Sequence, residues 1–521
     1  MPAPCLFIAP QGLTVTGVTT WIDHVARGLA DPEAGLNRPV GVVVHGSLAG
    51  HAEMDLTLPE GARLFRHDRL PDLDDVAAGR AELGPVIRAY RDAVRSLSHD
   101  PRTDAPVVVF PARHGECYAA CAALTIADPE AVRIVGLQQI DGAYESAIID
   151  RYEPALAALG GVSTRLVADL NERHSSRHSD TYFMPNAAAV PNDLPTREPL
   201  ADRPVRLLYT GRVEHEQKRV NALVALSDAL GKLGIAHELT ILGDGPAAHE
   251  IDAAIADRPS LSRVPTVPPG EVAAYLDRAD ILVMASRTEG LSLSLLEAMA
   301  RGCCPVITDT PSGARDAIDD GVHGVLVGFG PADRDDAVGV KLAAGIERAM
   351  KLDPHAIGRS AYERVRGFYN ADRLTRVVAE VADRASVSPP RSWSASRPVM
   401  FNSPAGQGIA TGAVPADGRA RFAQTLERLA GRRVLVHGVG QHTRQLADLL
   451  ASPPCTIVGF TDDDPATHGT TLFNWLVIAP GDAHTLSPDA VLISSAMHER
   501  AIYERRAVYE SQGVAVARVY G

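Results

Sequence analysis

Arg212 and Lys218 stand six residues apart just beyond an apolar run, 205–210 (VRLLYT). A guanidinium offers a planar fork of donors and an ammonium a compact charge. The pair therefore suits a diphosphate and the negative charge that builds on it as a leaving group. Only four of the 51 basic residues are lysines, Lys218, Lys232, Lys341 and Lys351, so a lysine at this spacing stands out; two solvated surface cations are the other reading. Further on, 286–302 (SRTEGLSLSLLEAMARG) follows the apolar run ILVMA and carries an N-terminal cap pattern. Glu289 precedes the predicted helix and Glu297 lies inside it. That spacing lets Glu289 face sugar hydroxyls at the helix entrance while Glu297, two turns deeper, reaches a ribose. The N–H groups of Gly290, Leu291 and Ser292, with the helix dipole, can then hold phosphate. A capped amphipathic helix with two solvated glutamates fits the same spacing.

Loops of this kind need rigid elements behind them. Short apolar runs alternate with helical patterns almost throughout, the signature of βαβ units and parallel sheets. Strands are predicted at 5–9, 40–44, 106–110, 133–137 and near 181–185, with Thr14–Thr20 a Gly-containing loop and Trp21–Leu29 a helix. This gives an N-terminal α/β domain, 1–195. A second series at 205–210, 238–243, 280–285, 304–308 and 324–328, closed by a helix over about 359–385, gives a domain spanning 196–385. Segment 386–418, rich in Ser, Pro, Gly and Ala, reads as a linker that is mobile or draped over the surface. A smaller third α/β unit, 419–521, restarts the pattern. Two such domains joined by a short connector make a cleft at the carboxyl ends of their strands, where the motifs fall.

With 521 residues the chain is long enough for about three domains. Hydrophobic residues at 45% and charged residues at 22% describe a globular protein, and a net charge of −13 speaks against nucleic acid as a partner. Arg88, Arg91 and Arg95 at helical spacing are read as a solvated helix face, with anionic lipid as the other reading. The six cysteines show no CxxC pairing and read as buried thiols of a reducing compartment. The N-terminus lacks a basic region before its short apolar run, and no apolar run is long enough to span a bilayer. A cytoplasmic protein with at most peripheral membrane contact is expected, and a homo-oligomer is possible.

Gly211-Arg212 with Lys218, the turn Leu242 to Pro246 (LGDGP), the E-x7-E motif Glu289 to Glu297, and PVITDTPSGARDAI followed by DGVHGVLV resemble family 4 of the retaining GT-B glycosyltransferases. The resemblance is strong over about 205–330 and weaker over 5–190. It implies the GT-B fold, two Rossmann-like domains facing a cleft, and transfer of a sugar from a nucleotide diphosphate donor with retention of configuration. Arg212 and Lys218 would hold the donor diphosphate, Glu289 the transferred sugar and Glu297 the ribose. Gly17 matches a Gly-rich loop of the family's first domain, and His114 in FPARHGE matches a histidine near the sugar. His24 reads as helix surface or core. Gln139 and Asp141 stand where relatives carry a His-containing acceptor loop. Ser292, Ser312-Gly313 and Pro185-Asn186-Ala187 depart from the family's usual glycines. No DxD-type pair stands beside the donor motifs, so no metal and no further cofactor is expected: Arg212, Lys218 and the helix terminus would meet the leaving charge.

In the third unit, Gly438-Val-Gly440-Gln-His-Thr443 follows a strand and opens a helix, with Asp462 closing the next strand, a weak dinucleotide-type fingerprint in which threonine replaces the third glycine. The segment resembles small Rossmann-like nucleotide- or sugar-nucleotide-binding domains attached to surface-polysaccharide enzymes. A binding, regulatory or dimerising module is expected there rather than a second active site, with His442 a surface residue. Glycan or surface-polysaccharide synthesis is the expected setting, on a glycan, lipid-linked or small-molecule acceptor. A GT-B nucleotide-sugar epimerase or hydrolase, and a non-catalytic nucleotide-sugar-binding protein, are the alternatives.

Overall fold

The computed structural model describes residues 2–520 apart from 14–15, 34–35, 47–57, 78–79, 113, 202, 331, 398, 402–417, 452, 470, 474 and 497. Residues 14–15 of the predicted loop and 402–417 of the predicted linker thus lie outside the described residues. The chain forms two compact units, residues 1–406 and 407–521.

The first unit holds two parallel sheets. The first contains β1 (Cys5–Leu13), β2 (Val40–His45), β3 (Arg63–His67), β4 (Val107–Phe110), β5 (Val132–Gln138), β6 (Leu156–Gly161) and β7 (Thr181–Phe183) in the order β3-β2-β1-β4-β5-β6-β7. The second contains β8 (Val205–Thr210), β9 (His237–Leu242), β10 (Leu261–Val264), β11 (Ile281–Met284), β12 (Cys304–Thr308) and β13 (Val325–Val327) in the order β10-β9-β8-β11-β12-β13. Central strands such as VVVF of β4 and ILVM of β11 are buried along their whole length, which is why they read as apolar runs rather than alternations. In each sheet the strand order reverses beside its first strand, between β1 and β4 and between β8 and β11. Such a reversal splays the following loops apart and leaves a crevice at the strand ends.

Three strands of the first unit escape the sequence reading. β3 (RLFRH) is a part-exposed edge rich in charge, and β10 (LSRV) is also an edge strand. β6 (LAALGG) is built of small residues with little strand propensity, because a helix presses on it: a Cβ at Gly161 would stand 2.9 Å from the Val167 amide nitrogen. The single closing helix expected at about 359–385 is two, Pro354–Phe368 and Ala371–Val387. Asn370 ends the first by capping the second, its side chain accepting the Arg373 N–H. The second helix packs on the first lobe, against the helix Gly17–Ala30, burying Leu374, Val378 and Ala382 and pairing Asp383 with Arg38. The chain then runs back along the same lobe: Trp393 is buried beside Tyr152, with its backbone N–H on Thr125 Oγ1 at 3.0 Å, and Tyr152 donates to the Val399 carbonyl at 2.6 Å.

The second unit is one six-stranded sheet, β14 (Arg433–His437), β15 (Thr456–Thr461), β16 (Thr471–Leu472), β17 (Trp475–Ile478), β18 (Ala490–Ile493) and β19 (Ala515–Ala517), in the order β16-β17-β15-β14-β18-β19 with only β16–β17 antiparallel. Its reversal falls between β14 and β18. All six cysteines are buried free thiols.

Candidate functional site

The loops after β8 and β11, neighbours at the reversal of the second sheet, carry the predicted cations and the predicted acid. Gly211, at φ +152°, turns the chain out of β8, and Gly243 presses on it so closely that a Cβ there would lie 2.0 Å from the Gly211 carbonyl oxygen. The buried Tyr209 hydroxyl donates to the Arg212 carbonyl at 2.6 Å and fixes its backbone. Arg212 Nη2 donates to Gln217 Oε1 at 3.2 Å, while Gln217 Nε2 donates to the Thr288 carbonyl at 3.0 Å and the Gln217 carbonyl accepts the Arg287 N–H at 2.7 Å. One glutamine therefore straps the Arg212 loop to the Glu289 loop. Lys218 Nζ lies 2.6 Å from Glu289 Oε1 with both side chains largely buried, so the predicted diphosphate cation and the predicted sugar acid form one ion pair.

Two residues that spacing arguments missed hold Lys218 in place. The buried Glu214 carboxylate accepts the N–H groups of Glu216, Gln217 and Lys218, the last at 2.6 Å. Arg219, at φ +54° and fully buried, turns the chain back and anchors through Asp335 Oδ1 at 2.8 Å and the Asp333 carbonyl at 2.6 Å. An acid lodged between two functional cations was the available signal for Glu214; Arg219 left none, because its burial depends on acids more than 100 residues away.

Ser292 caps the helix Leu293–Ala300, its hydroxyl accepting the Leu295 N–H. Gly290, Leu291 and Ser292 form the entry to this helix rather than its first turn, and the first-turn N–H groups have no acceptor within the helix. The first lobe closes directly over this entry. A Cβ on Gly290 would sit 1.9 Å from the Gln139 carbonyl oxygen, so only glycine fits. Asn186 donates to the Leu291 carbonyl at 2.6 Å, and Gly17 faces Leu293 across a gap that a Cβ would fill at 3.4 Å. Glu297 is only part-exposed, and burial pushes its carboxyl up to about 7 against a partial offset from Arg301.

Gly17, Gly211, Arg212, Lys218, Glu289, Gly290, Leu291 and Ser292 thus belong to one region of facing strand ends, with Glu297 further along the helix that Ser292 caps. His114 sits at the reversal of the first sheet, where it caps the helix Gly115–Ala127: Nδ1 accepts the Glu116 N–H at 3.2 Å and Nε2 lies 3.1 Å from Asp74 Oδ1. Asp141 is paired with Arg165 at 3.1 Å. His24 lies on a helix face with its ring desolvated, which lowers its pKa. Among the described residues no group of three or more His, Cys, Asp or Glu is arranged to hold a metal ion, and no helix among them is long and apolar enough to cross a membrane.

In the second unit, Gly438 (φ +112°) approaches the end of β18, where a Cβ would lie 2.7 Å from the Ser494 carbonyl oxygen. Thr443 Oγ1 is 2.6 Å from the Gly438 carbonyl and 2.8 Å from Ser494 Oγ. His442 is buried rather than at the surface, between Ser494 Oγ at 3.1 Å and the Tyr520 hydroxyl at 2.7 Å, and burial pushes it down to about 4. Asp462 accepts the Val439 N–H at 2.9 Å. The helix after Gly440 is cut to two short pieces, Gln441–Gln445 and Ala447–Ala451.

Two parallel α/β lobes meeting at their strand ends form the GT-B arrangement of glycosyltransferases, and solved structures of that class agree over most of the chain. Sucrose-phosphate synthase from Thermosynechococcus elongatus matches with a TM-score of 0.57 at 14% identity, over 73% of this chain and 98% of its own. The pneumococcal O-GlcNAc transferase GtfA, solved with UDP and GlcNAc, matches at 0.56 and 12%, over 74% and 99%. Within this frame residues 204–347 match the family described as Glycosyl transferases group 1, and 430–512 match C2185-like, N-terminal. Among curated relatives, the lipopolysaccharide 1,6-galactosyltransferase of Salmonella typhimurium is 33% identical over 147 residues, 27% of this chain and 40% of that protein. The D-inositol 3-phosphate glycosyltransferase of Paenarthrobacter aurescens is 36% identical over 142 residues, 25% and 34% respectively. The matched stretches thus span well under half the length of these relatives.

Proposed function

We propose that this chain is a retaining, metal-independent glycosyltransferase that moves a sugar from a nucleoside diphosphate donor to an acceptor, in glycan or surface-polysaccharide synthesis. The observation that carries the reading is the Lys218–Glu289 pair at the crevice of the second sheet, with Arg212 strapped alongside and a helix entry next to it. In the free protein the two charges satisfy each other. A donor exchanges that pair for two better-matched contacts: the diphosphate takes Lys218, and sugar hydroxyls take Glu289. Arg212, Lys218 and the helix dipole then stabilise charge on the departing diphosphate, where preorganised donors act most strongly. Glu297 supplies an acceptor for ribose hydroxyls, Gly17 lines the donor from the first lobe, and the segment with Gln139 and Asp141 presents the acceptor. The similarity to a UDP-bound structure supports a uridine nucleotide as the first donor to try. The second unit is an accessory module without a reaction of its own.

The test is release of nucleoside diphosphate from a panel of nucleotide sugars, with EDTA present and with candidate glycan and lipid-linked acceptors, and an anomeric assignment of the product by NMR. Acceptor-dependent release with retained configuration is expected. Complete donor conversion without acceptor would make the protein an epimerase or hydrolase, and activity abolished by EDTA and restored by a divalent ion would remove metal independence.

A further inference from the structure

One polar group of the donor crevice is unused. Ser286, just beyond β11, is 1% exposed, and its Oγ has no hydrogen-bond partner among the described residues. It lines a cavity of about 10 Å³ together with Glu289, Ser292, Thr308 and Ser312. One water-sized oxygen requires roughly 10 to 15 Å³ of such space, and nothing larger fits without displacing the walls. The surrounding hydroxyls are already oriented. Thr308 donates to the Ser286 carbonyl at 2.7 Å. Ser312 Oγ accepts from Thr310 at 2.8 Å and from the Ala314 N–H at 3.2 Å, which fills its lone pairs and leaves its O–H to donate. Ser292 Oγ accepts the Leu295 N–H, and its O–H is likewise left as a donor. Among apolar neighbours such as Met284, Leu295 and Ile307, the wall therefore offers serine O–H donors and the Glu289 carboxylate. A hydroxyl satisfies both, accepting from a serine and donating to the glutamate; a carbon-bound hydrogen satisfies neither, and an acylated amine is too large.

We propose that Ser286 anchors a seat for one hydroxyl of the transferred sugar and is a specificity-determining residue: the donor carries a free hydroxyl at the carbon facing the seat, and analogues with hydrogen or an acetamido group at that carbon are rejected. This rests on the donor-site reading above. An ordered water is the other source of an oxygen in the same seat, and the two are separable by selectivity.

The experiment measures kcat/KM for the preferred nucleotide sugar and for each of its monodeoxy analogues with wild type, Ser286→Ala and Ser286→Cys, thermal unfolding confirming that each variant folds. The cysteine fills the site with a slightly larger, weakly hydrogen-bonding group, so it reports if the alanine variant fails to fold. The expected result is one monodeoxy analogue used about tenfold or more less well than the parent by wild type, because a site built to bond a hydroxyl rejects its absence. In the variants that ratio shrinks to about threefold or less. Equal losses on every donor with unchanged ratios, the pattern of a water-filled seat, overturn the inference while leaving the donor site intact. No turnover of any nucleotide sugar by wild type overturns the donor-site reading itself and takes this inference with it.

Discussion

The crevice beside β8 and β11 and the one beside β14 and β18 are built alike: a strand ends in a glycine of positive φ, a polar loop follows, and the neighbouring strand end lies across the reversal. Their hydrogen bonds run to opposite ends. Beside β8, Lys218 and Glu289 pair with each other, Arg212 bonds Gln217 of its own loop, and the Ser286 hydroxyl has no partner among the described residues. Beside β14, Thr443, His442 and Asp462 are consumed by Gly438, Ser494, Tyr520 and Val439. A strand, a glycine turn and a helix therefore do not define a binding site. What defines it is whether the fold leaves the loop's polar groups for something else to satisfy.

The largest effect should come from breaking the first crevice. Lys218→Ala, and separately Arg212→Ala, should lower kcat about a hundredfold to a thousandfold, the loss seen when one preorganised donor to developing charge is removed. Thermal unfolding should hardly move, since both groups pair at the crevice and not in the core. Wild-type turnover in either variant would end the comparison, because the first loop would then be as self-contained as the second.

The two crevices should also respond to pH with opposite sign. Glu297 has a folded value of about 7 against an ordinary 4.5, so between pH 4.5 and 7 the unfolded chain ionises first and the folded state is progressively disfavoured. Glu297→Gln should thus be more stable than wild type at pH 8, by up to about 3 kcal/mol, and level with it at pH 4. His442, held at about 4 against 6.5, works the other way: its stability is complete above pH 6.5 and is lost as pH falls towards 4. His442→Gln should flatten that acid arm. Urea midpoints at pH 4, 6 and 8 measure both, and parallel pH profiles for wild type and variant would show the groups to be solvated. Next in size, Thr443→Val should leave the buried acceptors on Gly438 and Ser494 unpaired and cost about 1 to 3 kcal/mol while donor KM stays constant. A raised donor KM would make the second crevice part of the reaction.

The legible part of this molecule was what local sequence determines. β8 and β12 fall where the apolar runs placed them, at Val205–Thr210 and Cys304–Thr308, since buried parallel strands need continuous apolar residues. That Arg212, Lys218 and Glu289 fall in loops directly after strands was legible for the same reason, since those loops are bounded by the apolar runs. The rest depends on contacts distant in sequence. Nothing local tells that Arg219 will find Asp335, that the helix Ala371–Val387 will return to the first lobe, or that Trp393 will be buried beside Tyr152. The surroundings of the Gly438 loop are equally distant in sequence: Ser494 and Tyr520, 50 residues and more downstream, bond Thr443 and His442.

The smallest effect concerns what the first crevice has and the second unit's single sheet does not supply, a facing lobe. Thr164 begins a helix of the first lobe, and its N–H donates to Asp316 Oδ2 at 2.8 Å while its hydroxyl bonds the other carboxylate oxygen. Asp316 is in turn held at its carbonyl by Tyr369 at 2.7 Å and Arg364 at 2.9 Å. A second-lobe carboxylate thus sits on a first-lobe helix N-terminus, an attraction of roughly 0.3 to 1 kcal/mol where solvent has access. If that contact helps hold the lobes together over Gly290, Asp316→Ala should raise donor KM about twofold to fivefold and leave kcat nearly unchanged, because Arg212, Lys218 and Glu289 all lie within the second lobe. Asp316→Asn, which keeps one acceptor oxygen, should fall between. A fall in kcat with KM constant would place Asp316 among the groups that act on the leaving diphosphate and move the boundary of the site beyond the loops after β8 and β11.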